Sequence, residues 1–179
     1  MHATLADIIA DTAQNSIEAG ASRISVSIAE DGERFSVSVI DNGKGMDDEI
    51  KKRAFDPFYT EPGKHDKRKV GLGLPILRQM CECCGGAVRL ESEKGAGTRL
   101  EYFFESSNID LPPVGDLADT AVMLFNYPGD FELIFSHSRG GEEYSVARSE
   151  LMEALGSLES AECLAMAKDF MRSQENSLP

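Results

Sequence analysis

Residues 41–46 read Asp41-Asn42-Gly43-Lys44-Gly45-Met46. A carboxylate stands at the end of an apolar alternating run. Two glycines then permit tight turns and close backbone approach. A carboxylate in such a place can accept a hydrogen bond from an exocyclic amine. Taken alone, Asp-Asn-Gly is also ordinary turn chemistry, so the meaning of this stretch depends on what lies on either side of it.

Upstream, Leu5, Ile8, Ile9, Ala13 and Ile17 recur at three- and four-residue steps, which predicts an amphipathic helix running to about Ala19. Gly20 stops it. Its polar side carries Asp11 and Asn15, one turn apart. Both are oxygen donors of the kind that suit Mg²⁺, though two exposed polar residues on a helix need no function. Arg23–Ala29 and Arg34–Ile40 alternate apolar and polar, with Asp31-Gly32 as a hairpin signal between them. Downstream, Asp47–Ala54 predicts a short helix opened by acidic residues. Pro57–Val70 is a loop rich in charge, glycine and proline.

Gly71-Leu72-Gly73-Leu74 opens the next helical pattern, Leu72–Cys84. Glycines at a helix start expose N–H groups, and the helix dipole favours an anion there. The P-loop pattern of lysine and serine is missing. The cations Lys64, Lys67, Arg68 and Lys69 precede it within six positions. Such a cluster suits a small anionic ligand or a solvated loop. Gly85-Gly86 ends the helix. Ala87–Ser92 and Thr98–Phe104 predict two strands, joined by Glu93–Gly97. To residue 105 the order is helix, strand, strand, short helix, loop, helix, strand, strand. That order predicts an α+β fold: a two-layer α/β sandwich with a mixed sheet and helices on one face.

Ser106–Gly115 reads as a linker. Beyond it, Ala121–Tyr127 and Phe131–Ser136 are expected as strands around a Pro128-Gly129-Asp130 turn. Helices are expected at Ser149–Leu158 and Ala161–Arg172. The organisation is therefore a first domain over 1–106, a linker at 107–115, and an extension of two strands and two helices over 116–179. The extension's strands could extend the sheet or form a small unit, and its acidic helices could cover the core or dock a partner.

The totals bound these readings. In 179 residues, 41% hydrophobic content is enough for a core, and the net charge of −13 disfavours general nucleic-acid binding. From Pro113 onward, 12 acidic residues stand against 4 basic ones. No apolar stretch of 18 residues suggests a membrane span, and no secretory leader is evident. The expectation is a cytoplasmic protein or the soluble part of a larger complex. Cys81, Cys83, Cys84 and Cys163 fit neither a disulfide framework nor usual zinc or ferredoxin spacings. Reduced thiols on a helix are expected.

Five segments occur in a fixed order: Asp11…Asn15, Asp41-Asn-Gly-Lys-Gly45, Phe55-Asp-Pro-Phe58, Gly71-Leu-Gly73 and Gly95-Ala-Gly97-Thr98. Together they resemble the N, G1, F, G2 and G3 boxes of the GHKL ATPases, which share the Bergerat ATP-binding fold. That superfamily includes sensor histidine kinases, gyrase, the ninety-kilodalton heat-shock chaperones, MutL-type repair proteins and anti-sigma-factor serine kinases. The later boxes are closest to histidine-kinase catalytic domains. The segment Asn15-Ser16-Ile17-Glu18-Ala19-Gly20-Ala21 is more similar to the MutL type. The resemblance covers roughly Leu5–Glu105.

The resemblance implies ATP and Mg²⁺ as ligands. Asn15 would coordinate the metal, and Asp41 would bind the adenine amine. Gly43 and Gly45 would shape the pocket, with Thr98 closing it. Gly71, Leu72 and Gly73 would meet phosphates. Tyr59–Val70 would form a lid, with Lys64, Lys67 or Arg68 near the γ-phosphate. Asp11 stands where hydrolysing members usually carry Glu and is shorter by one methylene, so its reach to a water is in question. His2, His65 and His137 lack the setting of a phosphoacceptor, and the first box begins close to Met1. The expected function is a kinase module acting on a His or Ser of a partner protein. Two alternatives stay open: a non-catalytic ATP-dependent switch or scaffold, and a weak ATPase of the MutL-like branch. The oligomeric state is open as well, a homodimer included.

Overall fold

In the computed structural model, residues 4–56, 73–156 and 158–179 are described. Helix α1 (Leu5–Glu18) buries Leu5, Ile8, Ile9 and Ala13 on one stripe. Thr4 begins it with a capping box: its hydroxyl accepts from Asp7 N at 3.2 Å, and the Asp7 carboxylate accepts from Thr4 N at 2.9 Å. Strands β1 (Arg23–Glu30) and β2 (Arg34–Asp41) form the expected hairpin. Asp31 Oδ1 accepts from the amides of Glu33 and Arg34 and closes the turn. Then come α2 (Asp48–Arg53), α3 (Gly73–Cys83), β3 (Ala87–Glu93) and β4 (Gly97–Glu105). The rest of the chain forms α4 (Leu117–Phe125), β5 (Glu132–Arg139), β6 (Glu142–Ala147), α5 (Arg148–Leu155) and α6 (Ala161–Ser177).

The six strands make one sheet in the order β3-β4-β2-β1-β5-β6. Every pairing is antiparallel except β1 with β5, so the sheet is mixed, as expected. Alternation sets its two faces. Ile24, Val26 and Ile28 of β1 lie in register with Leu133, Phe135 and His137 of β5, and all are buried. On the opposite face Ser25, Ser27, Ser36, Ser38 and Ser136 stand half-buried, and Ile40 and Ile134 are exposed. The helices therefore cover one face. Strands β5 and β6 extend the sheet of the first part.

The run Ala121–Tyr127, expected as a strand, is helical through Phe125 and a turn beyond it. Asp116 caps α4 by accepting from Asp119 N at 2.8 Å. The helix looks like a strand in sequence because it is apolar almost all round. It lies between α1 and α6, so seven of its residues are buried and no polar face interrupts the run. The extension's second strand is instead β6. It follows Gly140-Gly141, whose φ values of +61° and +87° suit a tight hairpin turn. The extension thus holds two strands and three helices.

The far end of this extension is held by a polar cluster. His137 is fully buried, with Nε2 at 3.0 Å from Glu30 Oε1 and Nδ1 at 3.1 Å from Glu175 Oε2. The Tyr144 hydroxyl donates to Glu175, and Arg139 donates to the carbonyls of Leu178 and Pro179. Burial works against the Glu175 charge. The hydrogen bonds from His137 and Tyr144, with the charges of His137 and Arg139, outweigh it and hold its carboxyl below the ordinary range. A carboxyl lowered in the folded state stabilises the fold above its unfolded value and loses that contribution as pH falls through the folded one. Glu175→Gln should therefore cost on the order of 3 kcal/mol at neutral pH. In thermal unfolding, its deficit against the wild type should shrink as the solution is acidified through the carboxylate range. A deficit that is independent of pH would show that packing, not charge, holds α6.

Candidate functional site

Asp41 is the last residue of β2 and is 8% exposed. Its Oδ2 accepts from the Ser16 hydroxyl of α1 at 2.7 Å, and its Oδ1 accepts from Gly43 N at 2.8 Å. Each carboxylate oxygen thus takes one protein donor and keeps further acceptor capacity. In the sheet register Asp41 faces Thr98 of β4, and Thr98 faces Ser92 of β3. Three polar side chains therefore form a row on the helix-covered face.

The turn after Asp41 is fastened on all sides. Asn42 Oδ1 accepts from the amides of Ser22 and Arg23 at 2.9 and 2.8 Å. Lys44 N donates to Ala19 O, and Gly95 N donates to Lys44 O at 2.7 Å. Met46 N donates to the Ser92 hydroxyl at 2.9 Å. Gly45 has φ +61°, and a Cβ there would lie far inside 3.0 Å of Glu93 O. At Gly97, with φ +101°, a Cβ would run equally deep into Asp41 O. At Gly43 an added Cβ would meet Ala19 and Asp41 Oδ1 at 3.0 Å. Of the two glycines expected from sequence to shape a pocket, Gly45 is required by close backbone approach, whereas at Gly43 the neighbours would have to give by a few tenths of an ångström.

On α1, Asp11 and Asn15 are half-buried and one turn apart. A Cβ on Gly73 would stand 3.6 Å from Asp11 Oδ2, so the Asp11 carboxylate lies beside the start of α3. The structure therefore gathers Asp11, Asn15 and Gly73 near one another, and Asp41, Gly43, Gly45 and Thr98 at the neighbouring end of β2. Lys64, Lys67, Arg68, Gly71 and Leu72, with Pro57, Phe58, Tyr59 and Thr60, lie outside the described residues. Ser16 and Ser92 were not singled out in the sequence. For Ser16 a signal existed: it falls on the apolar stripe of α1, where a buried hydroxyl needs a partner.

Cys81 and Cys84 are buried and Cys83 is exposed. Burial, with a smaller contribution from Cys84, pushes the Cys81 thiol up to about 12, so it packs as a neutral side chain. Among the described residues no group of three or more His, Cys, Asp or Glu is placed to hold a metal ion. No described helix is long and apolar enough to cross a membrane.

Residues 2–108 match the family described as histidine kinase-, DNA gyrase B-, and HSP90-like ATPase. The match spans more than half of the chain, and the chain belongs to that family. Similar curated proteins are histidine kinases and sensors. The heme sensor protein HssS of Staphylococcus saprophyticus is 30% identical over 105 residues, which is 59% of this chain and 22% of that protein. The sensor histidine kinase WalK of Bacillus subtilis is 33% identical over 101 residues, 55% of this chain and 16% of that protein. The chain thus spans about a fifth of the length of these relatives. Among solved structures, the catalytic domain of histidine kinase ThkA is 27% identical, covering 55% of this chain and 65% of that one, with a TM-score of 0.44. The N-terminal domain of a DNA repair protein is 17% identical with a TM-score of 0.58, covering 90% of this chain and 58% of that one. The second likeness concerns the fold alone, and it takes in the extension.

The backbone contact at Gly97 yields a direct test. Gly97→Ala places a side chain at positive φ, which costs about 1–2 kcal/mol by itself, and drives it into Asp41 O. The total loss should exceed about 2 kcal/mol in denaturant unfolding. Gly95→Ala, where φ is also positive but nothing lies within 4 Å, should lose only the backbone share. Equal losses at the two positions would mean that the approach to Asp41 O is not the limiting contact.

Proposed function

We propose that this histidine-kinase-type ATPase domain binds ATP with Mg²⁺ and passes the γ-phosphoryl group to a His or Ser of a partner protein. The observation that carries the reading is the state of Asp41. A buried carboxylate, held by one donor on each oxygen and set in register with Thr98, is an oriented acceptor for an exocyclic amine. Adenine offers such a group. Gly43 and Gly45 let the backbone close around the base, and Thr98 bounds it on the β4 side. The oxygen donors fit a hard divalent cation: Asn15 would hold Mg²⁺, which when bound offsets phosphate charge. Gly73 opens α3, and the run Gly71-Leu72-Gly73 would supply backbone N–H groups to phosphate. Lys64, Lys67 and Arg68 supply cations from the segment before it.

Asp11 is assigned the base role, at the short reach of an aspartate. In transfer, the bond from the γ-phosphorus to the bridging oxygen breaks, and a bond to the acceptor nitrogen or oxygen forms. ADP leaves on the bridging oxygen, and the acceptor's proton passes to the Asp11 carboxylate assigned as base. The acceptor is placed on another protein, a response regulator or phosphoacceptor partner of the kind histidine kinases use. A cytoplasmic setting follows from that assignment.

Calorimetric titration with a non-hydrolysable ATP analogue and Mg²⁺ tests the reading. The wild type should bind, and Asp41→Asn should lose at least about tenfold in affinity. In the variant, the carboxamide nitrogen must face either the Ser16 hydroxyl or the Gly43 amide, and both already donate. Circular dichroism of the variant keeps loss of binding apart from loss of fold. No binding by the wild type would sink the ATP reading. Binding without transfer of labelled phosphate to any partner would leave a switch rather than a kinase.

A further inference from the structure

Ser92 ends the polar row Asp41–Thr98–Ser92, and no role above uses it. Its Oγ makes three contacts at 2.9 Å: with Met46 N, Gly97 O and Thr98 Oγ1. A serine hydroxyl has one hydrogen and two acceptor sites. The Gly97 carbonyl can only accept, so the Ser92 hydrogen goes there. The Met46 amide can only donate, so it takes one of the two acceptor sites. The remaining site faces Thr98, whose hydroxyl must donate to it. The Thr98 oxygen is then left with acceptor capacity alone.

Asp41, in register beside Thr98, is an acceptor too, with Ser16 and Gly43 already donating to it. The two residues that border this end of the pocket therefore offer no hydrogen to a ligand. We propose that Ser92 is a positioning residue that sets base specificity. By committing the Thr98 hydrogen away from the pocket, it selects a purine carrying an exocyclic amine over one carrying an oxo group at the same place. The proposal rests on the nucleotide reading above. An amine placed there finds acceptors. An oxo group loses its water and finds no donor, which is the costly side of hydrogen-bond exchange.

The test is the ratio of affinities for non-hydrolysable ATP and GTP analogues, each with Mg²⁺, in the wild type, Ser92→Ala and Ser92→Thr. In Ser92→Ala the Thr98 hydroxyl loses its acceptor and can turn its hydrogen toward the base. The ATP-to-GTP preference should fall roughly tenfold, with GTP binding gaining as ATP binding weakens. Ser92→Thr keeps the hydroxyl and should restore the wild-type ratio. Loss of the Met46 contact alone would weaken both nucleotides alike and leave the ratio unchanged, and that outcome overturns the proposal. Should Ser92→Ala fail to fold, Ser92→Cys makes the same test, because a thiol is a poor acceptor for Thr98 and must move the ratio in the same direction. A wild type that binds neither nucleotide removes the ATP reading and this proposal with it. A wild type that binds ATP with a ratio indifferent to position 92 removes this proposal only.

Discussion

Two glycines meet two carbonyls between β2 and the β3–β4 hairpin, and the arrangement of the site depends on that contact. Gly45 lies so close to Glu93 O, and Gly97 to Asp41 O, that neither position has room for a Cβ. Both glycines also take positive φ, which other residues adopt only at a cost. The contact brings the turn after Asp41 against the hairpin. Gly95 N can then donate to Lys44 O, and Met46 N to Ser92. The row of Asp41, Thr98 and Ser92 exists because β2, β4 and β3 are held in that register. Helix α1 joins the same assembly through Ser16 to Asp41 and through Ala19 O to Lys44 N. A single methyl group at either glycine would push against backbone, which cannot rotate away as a side chain can.

Helix α1 is also where the extension enters. The amides of Leu5 and Ala6, which have no partner within the helix, donate to Pro113 O and Val114 O at 3.0 and 2.8 Å. Helix α4 packs along α1, and Tyr127 just past its end accepts from Gln14, the neighbour of Asn15. Strand β5 pairs with β1. The helix that carries Asp11 and Asn15 is thus gripped at its first turn and along one flank by residues from beyond 110. Helix α6 closes over the side of α4 that α1 leaves uncovered, and α6 is tied down by Asp119 to Lys168 and Arg172 and by the His137 cluster. Those ties reach two different elements, α4 and β5, so α6 is fixed at more than one point.

The legible part of this fold was the part written in local periodicity. The alternation in β1, β2, β3 and β4 and the stripe of α1 placed those five elements, because each has one face more buried than the other; α2, which buries no residue, was marked instead by its acidic opening. Helix α4 shows solvent little more than Asp119 and Met123, too little to leave a polar face in the sequence, and its N-cap at Asp116 stands directly after what reads as a linker. Strand β6 begins with Glu142 and Glu143, which hide it on a sheet edge where charge is favoured. Asp41, Gly43, Gly45 and Thr98 were legible as an ordered set of short motifs. Ser92 was not, since its meaning depends on which residue it faces across β4. The direction of a hydroxyl hydrogen follows from three contacts that no local pattern encodes.

Asp11 ties the charge of the chain to its site. With a net charge of −13, the protein as a whole repels a polyphosphate. One described feature opposes that field locally: the N-terminal end of α3, where backbone N–H groups favour an anion; the cations Lys64, Lys67, Arg68 and Lys69 precede it in sequence. Asp11 works in the other direction, since its carboxylate already lies beside the start of α3. A phosphate group brought there would meet a second negative charge within a few ångströms, which a nearby opposite charge must offset. Asn15, one turn along the same helix, adds a neutral oxygen donor rather than a third anion. On the nucleotide reading, that pairing makes phosphate binding depend on a divalent cation more steeply than an asparagine pair would. On that reading, an aspartate one methylene shorter than a glutamate would be short for activating water and yet close enough to α3 to impose that dependence.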